Sequence, residues 1–460
     1  MELQSRPHDV SSRVDIDRSN PPPSDRQGEL SEEQATTRSY LKLICAGFSF
    51  FYAGTNDGTT GPLLPYMLQR YNISTGLITV IYVANFAGWF TSAMTNTHLT
   101  TTIRLSLGAT LLLGAGLQLL SQLFRLWNPP FGLFSVTFFF TSLGQAYQDS
   151  YSNTFVATVP GAHRWLGFIH AMYMLGCLTG PFVATPIASN SKWYYTYAVE
   201  AGLGVLNLGF VFGAFGRDMY EERKERTRAM DARDAQTQQQ RPTSTDGVIA
   251  ARVTPGSPQS RNKQAFNEIL QTLKLRSIWL ISLFFFFFLG AMITAGGWVV
   301  EYLVRVRGRN MKTMGYVSAG YNGGGFLGRL LLMEPTHRYG ERRMVFLYAL
   351  ACLALQIMFW RIPNVVGDAV LFSALGFFAG PFFPTGVSVA TKLCPKAIQN
   401  TALGFIFVLA QAGGSLFPAL TGLVAAHAGV KVLQPILAGL FVLVCASWWI
   451  IPKAEKERDS

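Results

Sequence analysis

Charge is scarce in this sequence. Only 14% of its 460 residues are Asp, Glu, Lys or Arg, against 49% apolar residues that include 35 Phe, whereas a soluble chain carries about 25% charged residues to cover its surface. Cysteine is scarce too. Cys45, Cys177, Cys352, Cys394 and Cys445 lie scattered within or at the ends of apolar runs, with no metal-ligand spacing, and read as small packing residues. No nucleophile constellation, metal cluster or phosphate loop emerges, so an enzyme is not expected and no cofactor is implied. Residues 1–40 are polar, contain Pro21-Pro22-Pro23 and lack a hydrophobic core, which argues against a cleaved signal peptide and for a disordered tail.

Long apolar runs are what the chain has in abundance. A helical span needs about 20 apolar residues to cross about 30 Å of hydrocarbon, and twelve runs qualify: near 41–67, 73–94, 103–124, 131–156, 165–188 and 193–215, then 277–303, 313–333, 344–360, 365–391, 397–426 and 432–451. The text is also written twice. Leu166-Gly167-Phe168-Ile169 returns 237 residues later as Leu403-Gly404-Phe405-Ile406, and in the same frame Gly176, Pro181, Asn85 and Gly88 fall on Gly413, Pro418, Asn322 and Gly325. These features predict an all-α integral membrane protein of twelve transmembrane helices in two pseudo-symmetric six-helix bundles, 41–216 and 277–452. Parallel repeats of this kind place a solute site between the halves.

Residues 217–276 turn charged and rich in Gln, Pro and Ser, and read as a linker. Its twelve Lys or Arg outnumber eight Asp or Glu, which assigns it to the cytoplasm by the positive-inside rule, and an even number of spans brings both termini, 1–40 and 453–460, to the same side. The formal charge of +12 gathers in these tails and loops, so a nucleic-acid partner is not expected. Arg305, Arg307, Arg309 and Lys312 would face outward, as a positive mouth for an anionic solute or as a solvated loop. The sequon Asn72-Ile73-Ser74 falls in an outward loop close to the membrane, making Asn72 a glycosylation candidate.

Several segments carry a more specific message: Gly54-Thr55-Asn56-Asp57-Gly58 and Gly61-Pro62-Leu63-Leu64-Pro65-Tyr66 in the first span, Gln148-Asp149 and Asn153-Thr154-Phe155-Val156-Ala157 in the fourth, and His170, Gly176 and Gly180-Pro181 in the fifth. Gly297-Trp298-Val299-Val300, Gly328-Arg329-Leu330 and Gly380-Pro381-Phe382-Phe383-Pro384 follow in the second half. With six plus six spans, this text resembles the major facilitator superfamily, and more narrowly its fucose-permease-related branch in fungi, which includes the bypass-of-stop-codon proteins. The resemblance runs from about residue 41 to 451. It departs at the stretch after the second span, where the superfamily's acidic and basic latch is replaced by Thr95-Asn96-Thr97-His98-Leu99-Thr100-Thr101-Thr102-Ile103-Arg104. The second half keeps Arg338-Tyr339-Gly340-Glu341-Arg342-Arg343, with His337 in place of the Asp.

An ionisable side chain at mid-bilayer costs on the order of 3 kcal/mol on insertion scales and needs a partner, a wet cavity or a task. Asp57 lies well inside the first span beside Asn56 and among small residues that allow close approach. Asp149 shares a face of the fourth span with Gln145 and Asn153, because residues four apart stack on one side. The family resemblance implies proton coupling by acidic residues in these two spans; the alternative is that each Asp is a satisfied packing residue. His170 and Tyr173 form a polar and aromatic stripe on the fifth span, with His170 either a proton relay or a neutral hydrogen-bonding group. Trp298 could stack on a ring-shaped solute and Glu301 could bind its polar groups or a proton; alternatively Trp298 is an interfacial anchor and Glu301 pairs with Arg305. Tyr321, Asn322 and Gln411 supply neutral contacts from the second half. Arg329 either snorkels or pairs with Glu334 as a gate.

Gly323-Gly324-Gly325-Phe326-Leu327-Gly328 matches the dinucleotide-binding pattern, but no strand precedes it. Gly320, Gly324 and Gly328 instead make a smooth helix face. Gly180-Pro181 and Gly380-Pro381 are expected to interrupt their helices where protein or a cavity re-satisfies the backbone. The chain thus reads as a monomeric carrier at the plasma membrane rather than the vacuole, its partners the bilayer, a small-molecule solute and protons. Proton-coupled uptake of a sugar-like polar solute is the leading expectation, export of an organic metabolite the alternative, and a non-transporting sensor the least favoured.

Overall fold

The computed structural model describes residues 23–101, 105–239 and 270–452, and among these it contains no strand. Twelve long helical segments follow one another: α1 Pro23–Tyr71, α2 Val80–Thr101, α3 Leu107–Leu126, α4 Phe131–Ala157, α5 Ala162–Asn190, α6 Thr196–Gln239, α7 Arg276–Arg305, α8 Met311–Leu331, α9 Glu341–Arg361, α10 in two pieces Val365–Ala379 and Phe382–Leu393, α11 Gln399–Ala428 and α12 Leu433–Trp449. Short turns of helix lead into α2, α6, α11 and α12. Side-chain caps start several of them: Ser106 accepts from the Ala109 amide ahead of α3, and Asn364 from Val366 and Gly367 ahead of α10, replacing donors that a helix N-terminus leaves open.

Two boundaries differ from expectation. α1 begins at Pro23, inside the segment expected to be a disordered tail; a proline whose missing N–H costs nothing at the first helical turn precedes a stretch rich in helix-forming Glu, Gln and Arg. α6 runs on to Gln239, so the first part of the expected linker is helix; residues 240–269, 1–22 and 453–460 lie outside the described residues. Gly180-Pro181 does not break α5, which is continuous through Pro181 and Pro186. Gly380-Pro381 does divide α10.

The two halves repeat one packing scheme. α1 lies along α5 and α6, α2 along α4, and α3 along α4 and α6; in the second half α7 lies along α11 and α12, α8 along α10, and α9 along α10 and α12. Glycine permits the closest of these approaches. A Cβ on Gly54 would stand 2.0 Å from the Tyr173 carbonyl oxygen, and one on Gly176 2.1 Å from that of Phe51. Gly413, the repeat partner of Gly176, meets the Phe286 carbonyl oxygen at 2.0 Å in the same sense. Among the described residues nine helices are long and apolar enough to cross a membrane, and α1, α4 and α8 are not among them. These three carry Asn56 and Asp57, Gln145 and Asp149, and Asn322 and Arg329, so the other helices must shield them from lipid.

The end of the bundle opposite the linker is sealed between halves. A Cβ on Gly61 of α1 would reach 2.2 Å from the Gly296 carbonyl oxygen of α7, and one on Gly422 of α11 would reach 2.3 Å from Thr79 and 2.6 Å from the Thr75 carbonyl oxygen. Substituting Gly176 by Val is expected to force α1 and α5 apart, at a cost of about 1–3 kcal/mol for overpacking. A lowered melting temperature of the purified chain checks this against Gly167→Ala, where a Cβ meets nothing within 4 Å; equal melting of the two variants would refute the close-contact account.

Candidate functional site

Asp57 is the hub of the polar interior. It is exposed although it sits midway along the membrane part of α1, and its carboxylate accepts from three helices. Asn56 Nδ2 donates to Oδ1 at 3.0 Å, Gln145 Nε2 of α4 to Oδ1 at 3.1 Å, and the Tyr173 hydroxyl of α5 to Oδ2 at 2.8 Å. With partners inside the first half and the far end sealed, this exposure opens between the halves toward the linker end. Four residues singled out from sequence thus meet at one carboxylate.

Behind Asp57 lies a buried cation that the sequence reading passed over. Arg125, at the end of α3, is 1% exposed. Its Nε donates to Thr137 at 2.8 Å and Nη2 to Thr141 at 3.0 Å, while Nη1 donates to Asn56 Oδ1 at 2.8 Å. The guanidinium also lies over the Phe138 ring at 3.9 Å from its centroid, a cation–π contact strengthened by desolvation. Gln122 Nε2 adds a second donor to Asn56 Oδ1 at 2.9 Å. The Asn56 amide is therefore oriented from behind, oxygen toward Arg125 and nitrogen toward Asp57. The expected third span ended at residue 124, one short of Arg125, which left the residue outside the membrane segments searched for ionisable groups. Glu200 was also missed, although it lies inside the expected sixth span and an intramembrane carboxyl is itself a signal.

Asp149 is half-buried, one turn from Gln145 and from Asn153, whose Nδ2 donates to the Asp149 backbone carbonyl at 2.9 Å. The second half contributes Asn322, whose Nδ2 crosses to the Cys177 carbonyl of α5 at 2.9 Å, and half-buried Gln411 on α11. His170 packs edge-on against Phe50 and beside Phe383 of α10, placing it at the linker-end contact between halves rather than beside Asp57.

Three expectations are corrected. Trp298 has no exposed surface and its Nε1 donates to the Pro418 carbonyl at 3.0 Å; it is packed into the far-end seal and presents no face to a solute in this conformation. Tyr321 is 5% exposed, stacked on Phe372 with its hydroxyl on the Met292 carbonyl at 3.2 Å, so it packs the second half. Arg329 does not pair with Glu334. Its Nε donates to the Gly380 carbonyl at 3.2 Å and Nη1 to the His170 carbonyl at 3.3 Å, reaching carbonyls of α10 and of the opposite half, while Glu334 stays exposed at the start of the short helix Met333–Tyr339.

Glu301 is paired with Arg305 at 2.9 Å and borders, with exposed Asn72 and Lys431, a cavity of about 850 Å³ at the far end. Arg307 donates to the Phe359 and Trp360 carbonyls at 2.8 and 3.1 Å, and Arg309 to that of Pro363 at 3.4 Å. These two arginines satisfy carbonyls at the C-terminal end of α9 and do not form a free basic mouth.

The family model described as Major Facilitator Superfamily matches residues 46–367 and 312–460. The chain belongs to this superfamily. Among curated proteins it is similar to bypass of stop codon protein 6 of Saccharomyces cerevisiae, 23% identical over 434 residues that cover 91% of this chain and 84% of that one. Among solved structures it shares its fold with the E. coli fucose:proton symporter (TM-score 0.59, 17% identity, 90% of this chain and 98% of that one). The same holds for a D-xylose-proton symporter (TM-score 0.62, 14% identity, 90% and 98%). It is a multi-pass membrane protein and a secondary transporter of small-molecule solutes.

Replacing Arg125 by Lys keeps the charge but loses the fork that joins Asn56, Thr137 and Thr141. Each buried charged hydrogen bond forfeited costs about 1.5–3 kcal/mol, so the variant should melt several degrees below the native chain. Unchanged melting would remove Arg125 from the framework of the site.

Proposed function

We propose that this transporter carries a small polar, sugar-like solute into the cell together with a proton, by alternating access of two halves, 41–216 and 277–452, about the cleft that exposes Asp57. The observation that carries the reading is Asp57 itself: a reachable carboxylate at membrane depth, held by Asn56, Gln145 and Tyr173 and backed by the Arg125 cation. A carboxylate so placed can take a proton from one side and release it on the other. A neutral Asp57 also rearranges its three donors, which frees hydrogen-bonding groups for a polyhydroxylated solute. Asp149, with Asn153, is the second candidate for the coupled proton, and Asn322 and Gln411 are the solute contacts from the second half. Sugar–proton symport in two proteins of the same fold supports the choice of solute class. The open linker end is cytoplasmic under the positive-inside reading, the termini lie there too, and the plasma membrane is the favoured location.

Export of an aromatic metabolite is the second reading, favoured by the half-buried stack of Phe383 on Phe407, with centroids 5.8 Å apart, at the linker-end side of the second half.

The test follows radiolabelled fucose and xylose, and the full solute content of medium and cytosol, in cells lacking the chain, expressing it, or expressing Asp57→Asn with Asp149→Asn at matched surface levels. Accumulation above the outside concentration only with the native chain, lost in the double variant, is the expected result. Solute released to the medium supports export instead, and full accumulation by the double variant makes the two carboxylates structural.

A further inference from the structure

Besides Asp57 and Asp149 the first half holds a further carboxyl inside the membrane part, for which Asp57 leaves no counter-charge. Glu200 of α6 has no exposed surface, and among the described residues neither of its oxygens meets a hydrogen-bond donor. The position is built rather than accidental. One turn on, Gly204 leaves room for the Tyr52 hydroxyl of α1, which would stand 2.8 Å from a Cβ there and is also without a hydrogen-bond partner.

The groups facing Glu200 are few. The Arg125 guanidinium of α3 lies over the ring of Tyr197, one turn before Glu200 on α6, at 5.4 Å from its centroid; the Tyr52 hydroxyl of α1 sits at Gly204, one turn after Glu200, and Arg125 reaches Asp57 of α1 through Asn56. Arg125 forms no ion pair within 4.0 Å among the described residues and commits its donors to Asn56, Gln122, Thr137 and Thr141. Tyr52, Tyr197 and Tyr173 are neutral phenols at physiological pH.

One cation therefore stands between two carboxyls. If both were ionised the group would carry a net negative charge in the membrane interior, with Glu200 uncompensated by any hydrogen bond, a costly arrangement. The two carboxyls are unequal hosts for the charge. Asp57 has three donors and, through Asn56, the orientation imposed by Arg125; Glu200 has none.

We propose that Glu200 is a positioning residue that shares Arg125 with Asp57, the two carboxyls retaining one proton between them in the conformation described here. Glu200 holds that proton and leaves the guanidinium to Asn56, which keeps Asp57 ionised and ready for the coupled proton. An ionised Glu200 competes for the guanidinium, draws it off Asn56, and releases the amide that fixes Asp57. No bond forms between the carboxyls, and each exchanges its proton with water, so they titrate as one unit and not as two separate sites. The inference rests on Asp57 being the coupling carboxylate.

The experiment uses protons alone as the probe. The carbonyl stretch of protonated carboxyls is recorded by infrared difference spectroscopy on the full chain in liposomes, titrated from about pH 5 to about pH 8. In the native chain a protonated-carboxyl signal is expected to persist at the upper end, and uniform ¹³C-glutamate labelling should shift it without any substitution. Glu200→Gln should remove it. In Asp57→Asn, where Arg125 serves one carboxyl only, the Glu200 signal should disappear at that same upper pH. A native chain with no label-shifted signal at the upper pH, a label-shifted signal that survives Glu200→Gln, or one indifferent to Asp57→Asn overturns the proposal; the first of these outcomes needs no variant to fold. Because no solute is involved, the spectroscopic pattern would stand if the transport assay rejected proton-coupled uptake.

Discussion

A charge placed in about 30 Å of hydrocarbon must be met by protein or by water, and the architecture of this transporter follows from that requirement. Its three least apolar long helices, α1, α4 and α8, are the ones whose polar residues face one another or the cleft. Their neighbours supply the apolar surface: α5 and α6 pack on α1, α2 and α3 on α4, and α10 on α8. What makes a poor membrane span makes a good site wall.

The first half meets the requirement with a continuous polar core. Beyond the Arg125–Asn56–Asp57 chain, Gln118 donates to Gln148 Oε1 at 2.8 Å, Asn207 to the same oxygen at 3.0 Å, and Ser49 to Asn207 Oδ1 at 2.8 Å, tying α1, α3, α4 and α6 together. Such a network makes this half a rigid body, because breaking any member leaves a buried polar group unpaired. The core of the second half is largely aromatic: Phe284 touches Phe285, Phe288, Phe382 and Trp448, and Phe372 lies between Tyr321 and Phe359, with Trp298 in the same buried cluster. The two halves share a packing scheme but divide the chemistry: Asp57, Asp149, Glu200 and Arg125 belong to the first half, while the second sets Arg329 against a largely aromatic core.

The repeat at an offset of 237 residues and the twelve apolar runs made the architecture readable in advance, since periodicity and length are properties of single segments. The convergence of Asn56, Asp57 and Gln145 was partly readable too, because a polar face on a membrane helix has to turn inward. Arg125 was hidden by a span boundary set two residues before the end of α3, and pairing between helices has no local signature. Trp298 shows the same limit from the other side: an indole in a seal and an indole in a binding site look alike in the sequence. Symmetry also misleads at the level of single residues. Asn85 and its repeat partner Asn322 occupy matching positions, yet Asn85 accepts from Ser142 within its own half while Asn322 reaches across to α5 of the other.

That crossing bears on how the halves could move. Of the contacts between them, those of α5 with α8 extend over the whole membrane depth: Thr185 against Gly315 and Phe182 against Tyr316 near the far end, Leu178 against Gly323 and Asn322 on Cys177 in the middle, Met174 against Gly325 and Arg329 on His170 toward the linker. The contact of α1 with α7 at Gly61 and Gly296 and those of the turn before α2 with α11 at Gly76 and Gly422 cluster at the sealed end. A rocking motion that opens the far end must break the clustered contacts, whereas a line of contact running end to end can serve as the axis. Gly315, Gly323 and Gly325 let Thr185, Leu178 and Met174 of α5 lie directly on the α8 backbone, while Tyr316, Asn322 and Arg329 tie the two helices together at three levels of that line. Asp57, bonded to Tyr173 of α5, lies beside this axis. Under the proposed rocking it would move little while the side from which it can be reached would change, which is the geometry the proposed coupled proton requires.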